Sequence, residues 1–158
     1  MDAASPARLY ATVVGALLLV FGIVGFFYSA SFGAPGTVDQ TLGAFRCNAW
    51  ANLLHVAAGA AGLLLAEAAS RGYALILGTL FTGLAIWGFV LGGDASILGF
   101  LPAGNGNDWL HLGLGLLGLL AAAGTPKSAT RGSSGTKYVT KEPRDRGKRG
   151  SEAGAQRA

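Results

Sequence analysis

The sequence predicts an all-α fold: an integral membrane four-helix bundle made of two tandem α-hairpin repeats, followed by a disordered C-terminal tail. Three observations predict it. Between Tyr10 and Gly124 the chain is strongly apolar, and only Arg46, Arg71, Asp39, Glu67, Asp94 and Asp108 carry charge. The apolar runs repeat in pairs. Nine of the twelve Lys and Arg lie beyond Gly124, among Ser, Gly and Thr. A soluble domain sets about 25% charged residues against its apolar ones. Here 13% are charged and 51% hydrophobic, with a mean hydropathy of +0.46, so the surface suits lipid better than water.

Crossing about 30 Å of hydrocarbon takes roughly 20 helical residues. Helix one is expected at about 9–28, an uncharged run of Ala, Leu, Val and Phe. It exceeds the apolar core of a secretory signal, usually about 7–15 residues, and is expected to be retained. Helix two is expected at about 49–69, helix three at 73–91 and helix four at 108–123. The last is short and needs help from its flanks, from bilayer thinning or from protein neighbours. Residues 1–124 then form the transmembrane domain, and 125–158 form a basic tail with too little apolar surface to offset its ordering entropy.

Helices one and three match: "RLYATVVGALLLVFGIVGF" from Arg8 and "RGYALILGTLFTGLAIWGF" from Arg71 share Arg8/Arg71, Tyr10/Tyr73, Gly15/Gly78 and Gly25/Gly88 at an offset of 63. Helices two and four match at an offset of 56, because the second connecting loop is seven residues shorter. A two-helix unit returns the chain to its starting side. The copies therefore run in the same sense about a pseudo-two-fold axis along the membrane normal. Eleven of the twelve Lys and Arg fall at the amino terminus, around Arg71 or in the tail, which predicts cytoplasmic termini in a bacterial inner membrane. The loops Phe32 to Cys47 and Gly92 to Asp108 are then external. "SILGFLP" is expected to lie flat at the interface and "AGNGND" to form a turn.

Both histidines of the chain fall in the second repeat pair, as Asn52, His55, Gly59, Gly62 and as Asp108, His111, Gly115, Gly118. Spacings of three, four and three put each set on one helical face. Gly59, Gly62, Gly115 and Gly118 mark a helix-packing face, since small residues let backbones approach in a bilayer. Asn52, His55, Asp108 and His111 form a candidate polar cluster at its outer end. Asp108 is expected to cap helix four, and Asn48 or Asn52 helix two. The histidines are expected about one turn inside their helices, roughly 5 Å below the start. Three readings compete: each imidazole hydrogen-bonds a neighbouring helix or loop, the two converge on a metal or haem iron, or the cluster handles a proton or small solute. Glu67 and Arg71 have the spacing of an i, i+4 pair.

No catalytic motif is present, and the glycines of "GLGLLG" follow no strand, so they are no dinucleotide fingerprint. Cys47 is the single cysteine, which excludes an intrachain disulfide. No enzyme activity, metal or cofactor is expected, and no nucleic-acid role. The expected partners are the lipid bilayer, anionic lipid for the tail, and further protein chains in a homo- or hetero-oligomer.

Asn48, Asn52 and His55 before a glycine-rich helix, then "GNDWLHLGLGLLGLL", resemble the bacterial four-helix membrane proteins grouped as Domain of Unknown Function 4383. The resemblance covers Arg8 to Ala123. Members often carry a further histidine where this chain has Ala51, so the third imidazole is missing here. The resemblance implies an integral membrane protein and supplies no activity. The leading expectation is a structural or accessory membrane component packed through its glycine-lined helices. The alternative is a small transporter or a haem- or metal-binding protein using His55 and His111.

Overall fold

The computed structural model describes residues 4–32, 40–92 and 95–126; beyond Pro126 the expected disordered tail lies outside the described residues. Four helices dominate: α1 Pro6–Tyr28, α2 Ala49–Leu65, α3 Ser70–Leu91 and α4 Asn105–Ala123. Two antiparallel β-hairpins join them at one end, β1 Gln40–Leu42 with β2 Phe45–Cys47, and β3 Ser96–Ile97 with β4 Leu101–Pro102.

Ser5 and Pro6 start α1 earlier than the apolar run does. The serine side chain accepts from the Arg8 amide, and proline at the first helical position forgoes an N–H that would go unpaired there. Asn48 caps α2, its Oδ1 accepting from Ala51 N at 2.8 Å. Helix two ends at Leu65 instead of Ala69, because Ala66–Ala69 must reverse the chain into α3 although three of the four residues are alanine, the strongest helix former. Helix four begins at Asn105, so the expected turn in "AGNGND" is largely the first turn of α4. "SILGFLP" does not lie as a flat segment. It folds into β3 and β4 around Leu98 and Gly99, both at positive φ (55° and 78°), as Gly43 (62°) turns the first hairpin. Gly43 and Gly99 stand 56 apart, so the repeat includes the hairpins.

The helices pack in pairs, α1 against α2 and α3 against α4, and the pairs meet chiefly through α1. The buried core is built from repeat-related positions: Tyr10 with Tyr73, Ala11 with Ala74, Val14 with Leu77, Leu18 with Phe81, and Ala66 with Ala122. Large apolar side chains point outward instead. Phe27 is 85% exposed, Leu64 81% and Val90 79%. Helices α1 and α3, about 34 Å and 33 Å long at 1.5 Å per residue, are each long and apolar enough to cross a membrane, whereas α2 is apolar but has 17 residues.

The two pairs are locked by reciprocal bonds. Tyr10 Oη donates to Leu114 O at 2.9 Å and Tyr73 Oη donates to Ala58 O at 3.0 Å, each reaching into the other repeat. Their rings sit 6.3 Å apart. Hydrogen bonds between helices in lipid are worth about 0.6 kcal/mol on average. Tyr10→Phe with Tyr73→Phe is therefore expected to cost about 1–2 kcal/mol in a detergent unfolding titration, with equal single-variant losses if the symmetry holds.

At the opposite end from the hairpins, Glu67 pairs with Arg8 at 2.5 Å, not with Arg71. The end of α2 at Leu65 removes the helical register that the i, i+4 pair needed. Arg71 Nε instead donates to Thr125 O at 3.0 Å. The Arg8–Glu67 pair is exposed, so its contribution is small.

Candidate functional site

The glycine faces meet the preceding helix of their own pair. A Cβ on Gly59 would strike the backbone of Gly15 and Leu19, and one on Gly115 would strike Thr82 and Gly78 O. Gly62 lies under the Tyr73 hydroxyl and Ala11 O, and Gly118 under the Tyr10 hydroxyl and Ala74 O. Each pair of contacts maps onto the other through the repeat. Close backbone approach at these four positions is what a side chain would prevent.

Asn52 and Asp108 occupy equivalent places, the fourth residue of α2 and of α4. The Asn52 amide packs on Gly25 and the Asp108 carboxyl on Gly88, which are themselves repeat-related. Asn52 is fully buried, and its Nδ2 donates to Ser29 O at 2.9 Å. Asp108 is not the cap of helix four: the helix starts three residues earlier, at Asn105, its cap position is an extended Gly104 without a side chain, and Asp108 N donates to Gly104 O at 2.9 Å. Asp108 is 2% exposed, and its Oδ1 has no partner, nor has Asn52 Oδ1. A buried carboxylate without full hydrogen bonding is costly, and the first repeat shows that an amide fits the same niche. Asp108→Asn is therefore expected to leave the melting temperature unchanged or to raise stability by up to about 1 kcal/mol. A loss larger than that would mean that the charge itself supports the fold.

Each histidine is the seventh residue of its helix, about 9 Å from the start and not one turn inside. The reason is the early start of α4 and the cap at Asn48. The two rings meet across the repeat, with centroids 6.2 Å apart and planes tilted by 46°. Phe21 stands edge-on to His55 at 5.3 Å, and Phe81 lies against His111 at 4.9 Å. Both Nδ1 atoms are buried without a partner. All four residues of the polar cluster thus keep an unpaired buried polar atom, although only the two imidazoles touch as rings. Asn52 and Asp108 stay apart in their own glycine niches.

Both imidazoles line a cavity of about 280 Å³ between α2, α3, α4 and the second hairpin. Its other walls are mainly aliphatic, with Leu77, Leu84, Ile97 and Leu101 among them. The repeat explains why it is there. Leu84 and Leu101 stand where the first half has Phe21 and Phe45, at offsets of 63 and 56, and those two rings pack together edge-on at 5.5 Å. Two leucines fill less space than two phenylalanines. Among the described residues no group of three or more His, Cys, Asp or Glu comes together.

Asn107 belongs to the site although its sequence context did not single it out. Its Oδ1 accepts from Arg46 N at 3.0 Å, and its Nδ2 donates to Arg46 O at 2.8 Å and to Pro102 O at 3.2 Å. Arg46 Nη1 adds a bond to Ala103 O at 3.2 Å, and Asn48 Nδ2 donates to Phe100 O at 2.7 Å. The first hairpin is thereby fastened to α4 and the second to α2, forming a cover over the histidine end of the bundle. Position 107 corresponds to Ala51, so the repeat gave no signal for it.

The family model described as Domain of unknown function (DUF4383) matches residues 8–124, one residue beyond the resemblance over Arg8 to Ala123. No curated protein and no solved structure matches the chain.

Proposed function

The chain belongs to the DUF4383 family, whose description assigns no activity, and from that premise we propose that it is a non-enzymatic, four-span protein of a bacterial inner membrane. One observation carries this reading: the packing is inverted relative to a water-soluble bundle. Glycines make the closest contacts between paired helices, beside a core that includes several alanines, while Phe27, Leu64 and Val90 are about 80% exposed. Patches of this kind mark surfaces that meet lipid or protein. Helices α2 and α4, about 26 Å and 28 Å long at 1.5 Å per residue, complete a crossing with slight bilayer thinning. The basic residues favour cytoplasmic termini, with both β-hairpins outside. The glycine-lined packing supports a structural or accessory role.

Cysteine labelling tests the topology. Cys47 is buried at 2% exposure and serves as the unlabelled background. In spheroplasts, Thr41→Cys on the first hairpin is expected to react with an impermeant maleimide, and Ala68→Cys in the α2–α3 turn only after lysis. Equal labelling of both before lysis would overturn the arrangement.

A second reading is favoured by the meeting of His55 and His111 on one apolar cavity. In this reading the accessory component holds a small molecule drawn from the bilayer, and the imidazoles orient it.

A further inference from the structure

We propose that the cavity beside His55 and His111 binds a neutral, lipid-soluble, flat ring carrying a carbonyl acceptor, a ligand of the quinone class. The inference rests on the second reading above and specifies its ligand. Four features define the chemistry.

No charged side chain is among the residues lining the cavity. A carboxylate or ammonium ligand would find no counter-ion there, so the occupant is neutral. Leu54 and Leu80 both line the cavity and are 46% and 56% exposed, so its lining reaches the outer surface of the bundle. On the four-span reading these side chains face lipid, and the ligand enters from the bilayer.

The polar groups on offer are few. Asn107 lines the cavity, but its side chain is engaged with Arg46 and Pro102. The two imidazoles remain. Their Nδ1 atoms are buried and unpartnered, and each ring keeps a second nitrogen, Nε2, that can carry the N–H. A neutral imidazole has one N–H to give. Carrying it on Nε2 leaves Nδ1 as a bare acceptor and presents a donor to the cavity. That favours a carbonyl oxygen over a hydrocarbon.

Shape narrows the class further. Phe81 lies against His111 with the ring planes 30° apart, which gives a flat conjugated ring an aromatic surface to stack on. A volume of about 280 Å³ lies just below the usual pocket range for drug-sized ligands, roughly 300–1,000 Å³. It holds a substituted one- or two-ring headgroup with its tail left in the lipid, and not a haem. At the equivalent positions of the first half Phe21 and Phe45 pack edge-on against each other, where Leu84 and Leu101 line the cavity.

The test uses the full chain in lipid nanodiscs, with menadione as the probe and methylnaphthalene as its hydrocarbon counterpart, both followed by equilibrium dialysis. Wild type is expected to bind menadione saturably and about tenfold more tightly than methylnaphthalene, the worth of a hydrogen bond in an apolar site. Leu84→Phe with Leu101→Phe, which copies the first repeat, is expected to abolish binding of both. Leu101→Phe alone is the fallback if the double variant does not fold. His55→Leu with His111→Leu is expected to lower menadione affinity about tenfold and leave methylnaphthalene unchanged. Equal binding of the two probes by wild type, wild-type affinity in the filled variants, or no saturable menadione binding would each overturn the proposal. Retention of every variant in alkali-washed membranes is measured on the same preparations. Loss of binding with retention condemns the ligand, whereas loss of retention in wild type condemns the membrane reading.

Discussion

Replacing Gly59 with alanine is expected to destabilise the bundle by about 2–3 kcal/mol in a detergent unfolding titration, while Gly113→Ala is expected to be neutral or stabilising. The contrast follows from what each new methyl would meet. At Gly59 it runs into Leu19 N, Gly15 O and Leu19 Cα, all of them backbone. A side chain can rotate away, but a helix backbone can move only if α1 and α2 separate along their length. On the four-span reading lipid supplies no hydrophobic force to hold them together once contact is lost, so the whole cost falls on packing. Gly115→Ala is expected to behave like Gly59→Ala, because Thr82 N and Gly78 O stand in the way at 2.6 and 3.0 Å. Gly113 and Gly83 lie in the same apolar helices with nothing within 4 Å. There alanine removes a helix-entropy penalty of roughly 0.5–1 kcal/mol and meets no obstacle. If all four substitutions cost alike, helix propensity and not close approach would be the role of these glycines.

Asn107→Ala is the second large change, expected to cost about 2–4 kcal/mol because it removes three hydrogen bonds from a buried side chain to the main chain. Arg46 loses partners for both its N–H and its C=O. The asparagine mimics a strand edge, and no short apolar side chain can do so. Amide exchange gives a local readout: the Arg46 amide is expected to lose at least about tenfold of its protection, while amides in the middle of α1 and α3 keep theirs. Asn107→Asp separates the two directions of bonding. It retains the acceptor for Arg46 N but sets an oxygen against Arg46 O and Pro102 O, so it is expected to cost nearly as much as alanine. A stable Asn107→Asp variant would show that the donor bonds hold little of the cover in place.

Helix number, the two-fold repeat and the matching helix positions of the two histidines were legible in the sequence, because apolar period and internal identity report on them directly, although their distance from the helix starts was not. The glycine stripe was legible for the same reason. What escaped was set by tertiary contacts. Three alanines, strong helix formers, surround Glu67 in Ala66–Ala69, yet the chain turns there because α3 packs back against the bundle. Helix four starts at Asn105 and not Asp108, because Asn107 finds its partners on a hairpin 61 residues away. The hairpins hid in loops whose strands are two or three residues long. They were signalled only by Gly43 and Gly99 standing in the same frame. Arg8 and Glu67 are brought together by the turn after α2, so sequence spacing pointed to the wrong arginine. The cavity was written in two substitutions, Phe21 to Leu84 and Phe45 to Leu101, which carry meaning only once the repeat is superposed on a packed structure.

The tyrosine pair has a consequence for how such a molecule can diversify. Each hairpin completes the other, Tyr10 reaching Leu114 and Tyr73 reaching Ala58, as two identical subunits would across a dimer axis. A true homodimer is bound by that symmetry: any residue change appears twice, so a cavity away from the axis appears twice or not at all. Joining the hairpins into one chain lifts the constraint. One half can keep its phenylalanines as a solid wall while the other trades them for leucines and hollows out. The turn at Ala66–Ala69 is thus more than a connection; it gives the two halves separate fates while they still lean on each other.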